Sequence, residues 1–317
     1  MKGRDWVMFW TLGLIWGSSF LWIKIALQEI GPFTLVGWRL LIGVLTLGIA
    51  VLLRRPTFPR QRRVLGMLAL LGLTNTALPF VLISWGEQTI DSAVASVLNG
   101  TVPLFAMVFA HFALEDDRMT RARVLGLLVG FAGVVILLSG ELVGSGFGQA
   151  GLGQLAVLLA AILYAASGVF ARKNLRDVSP MVQAFLPLVV ADAFIWFGAV
   201  AIEAPDLVPA ARSTWLAVTW LGVLGSGIAY LILFQLLHRI GPTRTSMVTY
   251  VFPLVGLVLG VVFLQEALTL PLAFGTGMIV AGILVVNGSS ILQGSVGRVF
   301  RRPSLPHDIG SPGPRSG

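Results

Sequence analysis

The sequence predicts an all-α integral membrane protein with ten transmembrane helices, built as two inverted five-helix repeats with both termini in the cytoplasm. Three observations lead to this prediction: long apolar runs, an internal repeat, and an alternating placement of basic residues. The chain has 317 residues, of which 56% are hydrophobic and only 11% are charged, and its mean hydropathy is +0.89. An ordinary soluble domain carries roughly 25% charged residues, so this composition is typical of a membrane protein.

The apolar runs are about 20 residues long, which is enough for a helix to cross roughly 30 Å of hydrocarbon. Strands are excluded because an open sheet cannot satisfy its edges in lipid, and a barrel would show short alternating segments. The first run is too long for a signal peptide and is interpreted as a retained helix. The predicted spans are residues 6–27, 32–53, 64–85, 92–114, 121–140, 152–172, 180–202, 213–237, 243–265 and 270–292.

The same residue pattern runs through the chain twice, at offsets of 148 to 150. Five spans per copy is an odd number, so the second copy enters the membrane from the opposite face, as in alternating-access transporters. The predicted division is a first repeat over 1–140, a second repeat over 152–292, and a disordered basic cytoplasmic tail over 293–317. The clearest matches pair Thr120, Gly126, Ala132 and Gly133 with Thr269, Gly275, Ala281 and Gly282.

The net charge of +8 and the pI near 11.0 raise the question of a nucleic-acid partner, which the placement of the charges answers. Of the 22 Lys and Arg residues, 19 fall in the N-terminus, the even-numbered gaps between spans, and the tail. This alternation follows the positive-inside rule for a multi-pass protein of the cytoplasmic (inner) membrane. It argues against nucleic acid and makes the lipid bilayer the surrounding partner.

Several kinds of chemistry are excluded by missing residues. There are no cysteines, so disulfides, thiolate metal sites and cysteine nucleophiles are ruled out. No H-E-x-x-H or G-x-x-x-x-G-K-[ST] motif occurs, so neither a metal site nor direct ATP drive is predicted, and no cofactor is expected. An intramembrane enzyme would need a cluster of acids or a Ser–His pair within the spans, and the sequence offers none. The protein is therefore not expected to be an enzyme.

Two stretches resemble the EamA family of the drug/metabolite transporter superfamily: WGSSFLWIKIAL (16–27), with Pro32 and Arg39, and VTYVFPLVGLVLGVVFLQEALTLPLAFGTGMIVAGILVV (248–286). Residues 97–138 carry a looser version of the second stretch, in which Asp117 keeps the spacing that Glu266 has. The resemblance extends over about residues 6–292. It implies a central cavity lined chiefly by the first, third and fourth helices of each half. It also implies transport of small metabolites, often outward, with amino acids a frequent class.

Uncharged polar and aromatic residues within the spans are the predicted cavity lining. Asn99 precedes Pro103 by one turn, and a proline frees a carbonyl that lipid cannot satisfy, so such a point tends to face a cavity. Amides, hydroxyls and rings in an apolar chamber suit a small amphipathic solute such as an amino acid. The alternative is that these residues serve helix–helix hydrogen bonding and aromatic belts. The candidates are Trp16, Ser19, Asn75, Asn99, Tyr164, Ser167, Tyr230 and Tyr250.

Three ionisable residues within the spans are candidates for charge recognition or coupling, because a charge in hydrocarbon is costly unless it is paired or hydrated. Lys24 and Arg39 lie at similar depths beneath the predicted external face and could bind a carboxylate, Arg39 in a bidentate manner. Alternatively, Lys24 snorkels outward, and Arg39 pairs with Glu29 or with carbonyl oxygens. Asp192 would either carry a proton or fix its helix to a neighbour.

Two further groups have a structural interpretation. Small residues let helices approach closely in a membrane, so a packing role is predicted for Gly126, Gly130, Gly133, Gly275 and Gly282. Glu266 and Asp117 stand just before predicted helix starts, where an acid caps free N–H groups.

The sequence thus predicts a secondary transporter of small metabolites, by resemblance an exporter, that works by alternating access through a cavity between its repeats. Proton coupling and a homodimer both stay open. The competing class is a membrane channel or a scaffold that transports nothing, because inverted repeats also occur in pores.

Overall fold

The computed structural model describes residues 3–115, 119–144, 148–240 and 245–299, and over these ranges the chain is helical, without a strand. Eight helices are long and apolar enough to cross a membrane: α1 (Gly3–Ala26), α2 (Pro32–Arg54), α3 (Arg62–Gly86), α4 (Ser92–Ala113), α5 (Arg121–Ser139), α6 (Gln149–Asn174), α7 (Pro180–Ile202) and α8 (Arg212–Leu233). Two shorter apolar helices follow, α9 (Met247–Phe263) and α10 (Leu270–Val285). The predicted all-helical membrane protein is confirmed, and the count of ten spans stays a prediction.

Some helices extend beyond their apolar cores. Helix α5 continues to Gly144, α8 to Ile240 and α10 to Val299. Residues 300–317 of the predicted tail, and Asp117, lie outside the described residues.

The helix contacts repeat between the two halves of the chain. Helix α1 packs against α8 and α9, and α6 packs against α3 and α4; likewise α2 packs against α8, and α7 against α3. The remaining major contacts, α2–α7, α4–α9 and α5–α10, join corresponding helices. Exchanging the first five helices with the second five therefore returns the same set of major contacts.

Helices α5 and α10 approach closely through glycines. A methyl group added at Gly282 would lie 2.6 Å from the Gly130 nitrogen, and one at Gly133 would lie 2.7 Å from the Gly275 carbonyl oxygen. Backbone on the partner helix occupies the space that any larger side chain would need. The packing role predicted for these glycines is confirmed.

The loops at residues 27–31, 87–91, 203–211 and 264–269 gather at one end of the bundle, here called the hairpin end. Three glutamates there cap helices in the opposite half of the chain. The Glu203 carboxylate accepts hydrogen bonds from the Phe33 and Thr34 N–H groups at 2.9 and 2.8 Å, at the start of α2. Glu266 accepts from the Ser92 and Ala93 N–H groups at 2.7 and 2.9 Å, at the start of α4.

Glu29 caps α8 in the same way. Its carboxylate accepts from the Ala210 and Ala211 N–H groups at 2.5 and 2.9 Å and from the Thr214 hydroxyl. These bonds, the Thr214 bond first, lower the pKa of the Glu29 carboxyl below its ordinary value. Each glutamate satisfies N–H groups that a helix start leaves without partners, and so ties the two halves together.

Glu266 was expected to cap the helix that follows it, and the structure corrects the target of this cap. The Thr269 hydroxyl, not Glu266, accepts a hydrogen bond from the Leu272 N–H of α10, at 3.3 Å. Gln265 adopts a left-handed conformation, with φ 57°, and the Glu266 N–H bonds back to the Gly260 carbonyl at 3.2 Å. This helix-ending turn directs the Glu266 side chain to α4, which belongs to the first half of the chain.

We expect Glu266→Ala to lower the free energy of unfolding by about 1–2 kcal/mol, because the α4 cap is lost and two N–H groups stay without an acceptor. Chemical denaturation in detergent micelles measures this. Glu115→Ala is the control, since Glu115 is exposed at the other end of the bundle. Equal stability of the two variants would rule out the cap as a stabilising contact.

The opposite end of the bundle, here called the basic end, holds most of the described cations. An ion pair of 2.6 Å between Arg239 and Asp5 joins the end of α8 to the start of α1 there. The other described cations at this end are Arg4, Arg54, Arg55, Arg60, Arg62, Arg63, Arg121, Arg123, Arg172, Lys173 and Arg176.

Candidate functional site

Helices α3 and α8 both widen into π-helical turns near their middles. These turns span Leu73–Ala77 in α3 and Trp220–Ile228 in α8, and residues 73–77 correspond to 223–227 at the repeat offset of 150. Wide turns of this kind occur frequently at functional sites because they displace side chains and free backbone groups. Asn75 and Gly225 occupy them at matching positions and face the same space.

Helices α1, α4 and α9 are interrupted at similar depth. Helix α1 breaks after Gly17, and α4 breaks at Gly100 and Thr101, just before Pro103. Helix α9 begins with a 3₁₀ turn over Ser246–Tyr250, just before Pro253. Because a proline lacks the N–H that would close the preceding turn, the irregular backbone in α4 and α9 follows from the sequence.

A central cavity of about 300 Å³ lies between these interruptions. Most of its lining consists of residues that are partners in the repeat, so the two halves contribute matching walls. The pairs are Trp16 with Tyr164, 148 positions apart, and, 150 positions apart, Asn75 with Gly225, Phe80 with Tyr230, Ile83 with Leu233, Asn99 with Thr249 and Val102 with Phe252.

Six of the eight predicted polar and aromatic candidates line this cavity: Trp16, Ser19, Asn75, Asn99, Tyr164 and Tyr230. The other two do not. Ser167 is buried and donates a hydrogen bond to the Thr74 hydroxyl at 2.8 Å, which joins α6 to α3. Tyr250 packs against the hydrophobic core. Whether any lining residue binds a substrate stays a prediction.

The sequence interpretation missed the apolar part of the lining, including Phe20, Phe80 and Phe252. The repeat itself held the signal for two of them. Phe80 is the partner of Tyr230, and Phe252 is one turn beyond Thr249, the partner of Asn99.

Aromatic rings form matching corners in the two halves. Trp16 meets Tyr230 edge-on, with ring centroids 6.1 Å apart, and the corresponding pair Tyr164 and Phe80 lies at 6.5 Å. Trp16 also meets Phe252 at 5.8 Å, and its indole N–H donates to the Gly225 carbonyl at 3.0 Å. That hydrogen bond satisfies a carbonyl in the widened turn of α8 and fixes the indole at the cavity wall.

Arg39 breaks the symmetry of the walls. Among the described residues that line the cavity it alone is charged, and its repeat partner at offset 148 is Pro187. The side chain is 6% exposed, its Nε donates to the Ser226 hydroxyl at 3.1 Å, and its guanidinium carbon lies 3.8 Å from the Phe80 ring centroid. The Glu29 pairing considered from the sequence does not form, since Glu29 caps α8. The cavity therefore presents a cation held on an aromatic face.

Lys24 and Asp192 lie outside the cavity lining. The Lys24 ammonium donates to the Glu87 and Ile90 carbonyls at 2.6 and 2.7 Å, which joins α1 to the α3–α4 loop. The Asp192 carboxylate accepts a hydrogen bond from the Trp196 side chain one turn along α7. In the part of the chain that the structure describes, no group of three or more His, Asp or Glu residues is arranged to hold a metal ion.

The fold and cavity define a multi-pass membrane protein whose two halves enclose a central chamber. The model of the EamA-like transporter family matches the chain twice, over residues 6–139 and 151–288, and the chain belongs to this family. The family match therefore identifies the protein as a membrane transporter, as the resemblance implied.

Sequence similarity to known transporters extends over most of the chain. It is 27% identical over 279 residues to the uncharacterized transporter YoaV of Bacillus subtilis, covering 87% of this chain and 94% of that protein. It is 28% identical over 279 residues to the uncharacterized inner membrane transporter YedA of Escherichia coli, covering 87% and 88%. A crystal structure shares the fold with a TM-score of 0.67 and 24% identity, covering 93% of this chain and 99% of that chain.

Proposed function

We propose that this protein is a secondary transporter of small amphipathic solutes that carry a carboxylate, with amino acids as the main class. The observation that carries the proposal is the single buried guanidinium of Arg39 in a cavity whose other described lining residues are aromatic, aliphatic or uncharged polar. An anionic group on the solute would neutralise this charge through paired N–H···O bonds.

The proposed topology is ten spans in two inverted five-helix repeats, with both termini and the basic end in the cytoplasm. The repeated helix contacts and the double match of the family model favour two equivalent halves. The cations at the basic end, opposite the capping glutamates, agree with the positive-inside rule. The inner-membrane relative from Escherichia coli supports the same location.

The cavity also suits the rest of such a solute. At about 300 Å³ it is at the small end of the roughly 300–1,000 Å³ range of ligand pockets. The Asn99 Oδ1 atom is buried and has no hydrogen-bond donor among the described residues, so it is available to an ammonium or hydroxyl group. The rings of Trp16, Phe20 and Phe252 would contact an apolar side chain.

Alternating access would use the interruptions in α1, α3, α4, α8 and α9 as points of bending. Helices bend at π-turns and at prolines, where the hydrogen-bond ladder is already broken. Rocking of one half against the other would open the cavity to each face in turn. Export is the proposed direction because the family resemblance implies it.

Counterflow in proteoliposomes tests this function. Vesicles loaded with the standard amino acids are diluted into isotope-labelled amino acids at equal pH on both sides, and mass spectrometry follows the exchange. We expect saturable exchange of a few amphipathic solutes. Flux without saturation or counterflow would indicate a channel, and no flux above protein-free vesicles, from folded protein, would indicate a scaffold or another solute class.

A further inference from the structure

Glu87 is a buried acid that the site described above does not use. It directly follows α3, its side chain has 0% exposure, and neither carboxyl oxygen has a hydrogen-bond partner among the described residues. A buried ionised carboxylate without donors costs several kcal/mol. The other hairpin-end glutamates instead receive two or three hydrogen bonds each. Glu87 is therefore not a structural cap.

The position of Glu87 connects the cavity to the hairpin end. Its N–H bonds to the Ile83 carbonyl at 2.9 Å, so the two residues stand one helical turn apart on the same face of α3, and Ile83 lines the cavity. Ile23, Ile83 and Ile90 are buried around this level. The carboxyl thus lies between the cavity and the loops of the hairpin end, where apolar side chains exclude water.

Charged groups face Glu87 from three elements: Lys24 on α1, Arg39 on α2 and Glu266 in the α9–α10 loop. Helix α6, which packs on α3, has no ionisable side chain over residues 149–163. Burial raises the pKa of the Glu87 carboxyl well above its ordinary value, Lys24 opposes this, Glu266 adds to it, and Arg39 opposes it. Burial has the largest effect because the Lys24 ammonium donates to the Glu87 and Ile90 backbone carbonyls rather than to this carboxyl.

From this arrangement we infer that Glu87 is the proton-carrying group of the transport cycle, which couples movement of the hairpin end to the proton gradient. The inference rests on the proposed transport function. With the hairpin end closed, Glu87 is neutral and holds its proton. When that end opens, water reaches the carboxyl, the O–H bond breaks, the proton passes to water, and Lys24 becomes the counter-ion of the carboxylate.

The sign of the effect follows from linkage. A raised pKa in the closed state means that this state binds the proton more tightly than the hydrated, open state does. Low pH therefore favours closure of the hairpin end, and this preference is lost as the pH rises through the raised pKa. When the carboxylate is instead exposed through the cavity, on the other side of Ile83, it takes up a proton from the opposite face of the membrane, so one proton crosses in each cycle.

The test compares Glu87→Gln with wild type in the proteoliposomes, using the standard amino acids as probes. Glutamine keeps the shape of the neutral acid and cannot release a proton. Under a gradient of one pH unit, applied in either direction, coupling to one proton supports an accumulation ratio of about tenfold in wild type. We expect Glu87→Gln to reduce this ratio to one while counterflow at equal pH persists. Asp206→Asn, which alters an exposed acid in the α7–α8 loop, should leave both unchanged.

The outcomes separate this inference from the proposed function. Absence of counterflow in wild type would count against transport of these solutes. Counterflow without any response to pH in wild type, or full accumulation by Glu87→Gln, would overturn the role of Glu87 alone.

Infrared spectra give a readout that needs no substrate. The carbonyl stretch of a protonated carboxylic acid at neutral pH should be present in wild type and weaker in Glu87→Gln, and identical spectra would also overturn the inference.

Discussion

Replacing Arg39 by alanine is expected to reduce the flux of carboxylate-bearing solutes by about 10- to 100-fold. A hydrogen bond to a charged group contributes roughly 1.5–3 kcal/mol when water is excluded, and the cavity offers no second cation among its described lining residues. Initial rates of counterflow, measured for a pool of amino acids and neutral amphipathic solutes, show the effect. The loss should fall on solutes with a carboxylate.

Two further variants test whether the effect depends on the guanidinium group of Arg39 in particular. Arg39→Lys keeps the charge but loses the planar pair of N–H donors and the contact with Phe80, so it should recover part of the flux. Arg63→Ala removes an exposed cation at the basic end and should match wild type. Equal losses for neutral and carboxylate solutes would mean that Arg39 supports the cavity structurally and does not recognise the anion.

Gly282→Ala is expected to lower the free energy of unfolding by about 3 kcal/mol, the largest effect on stability anticipated for a single methyl group. The added carbon would lie 2.6 and 2.7 Å from the nitrogen and Cα of Gly130, and neither backbone atom can turn aside. Helices α5 and α10 would have to separate, and overpacking of a tight interface costs roughly 1–3 kcal/mol, occasionally more. Denaturant unfolding in detergent micelles measures the difference.

The matched control lies on the same helix. A methyl group at Gly277 would meet nothing within 4 Å, so Gly277→Ala should be neutral or stabilise the helix by up to roughly 1 kcal/mol. If the two alanine variants unfold alike, the close approach of α5 and α10 does not limit stability.

Much of the cavity could be predicted from the sequence because the chain repeats itself. Trp16 and Tyr164 occupy the same place in the two repeats, and Asn99 and Thr249 each precede a proline by one turn. A cavity between two related halves draws on the same positions twice, so such pairs point to it.

The same reasoning could not decide which of two residues about one helical turn apart faces the cavity. Ser167 follows Tyr164 closely but faces α3, where it meets Thr74. In a soluble helix the contrast between polar and apolar faces fixes such rotations, whereas here the lipid-facing and buried sides are both apolar. Phe80 was missed for the same reason, because an aromatic residue in an apolar span carries no sign of what it faces.

The sequence by itself determined the helical membrane fold, the repeat and the breaks before Pro103 in α4 and Pro253 in α9, because composition, chain length and proline chemistry are local properties. Only the tertiary structure decided the partners of the charged groups. Lys24 meets a carbonyl 63 positions away, and Glu266 caps a helix 174 positions away. A buried charge is stabilised or left unpaired by whatever the fold brings to it, and this separates the capping glutamates from Glu87.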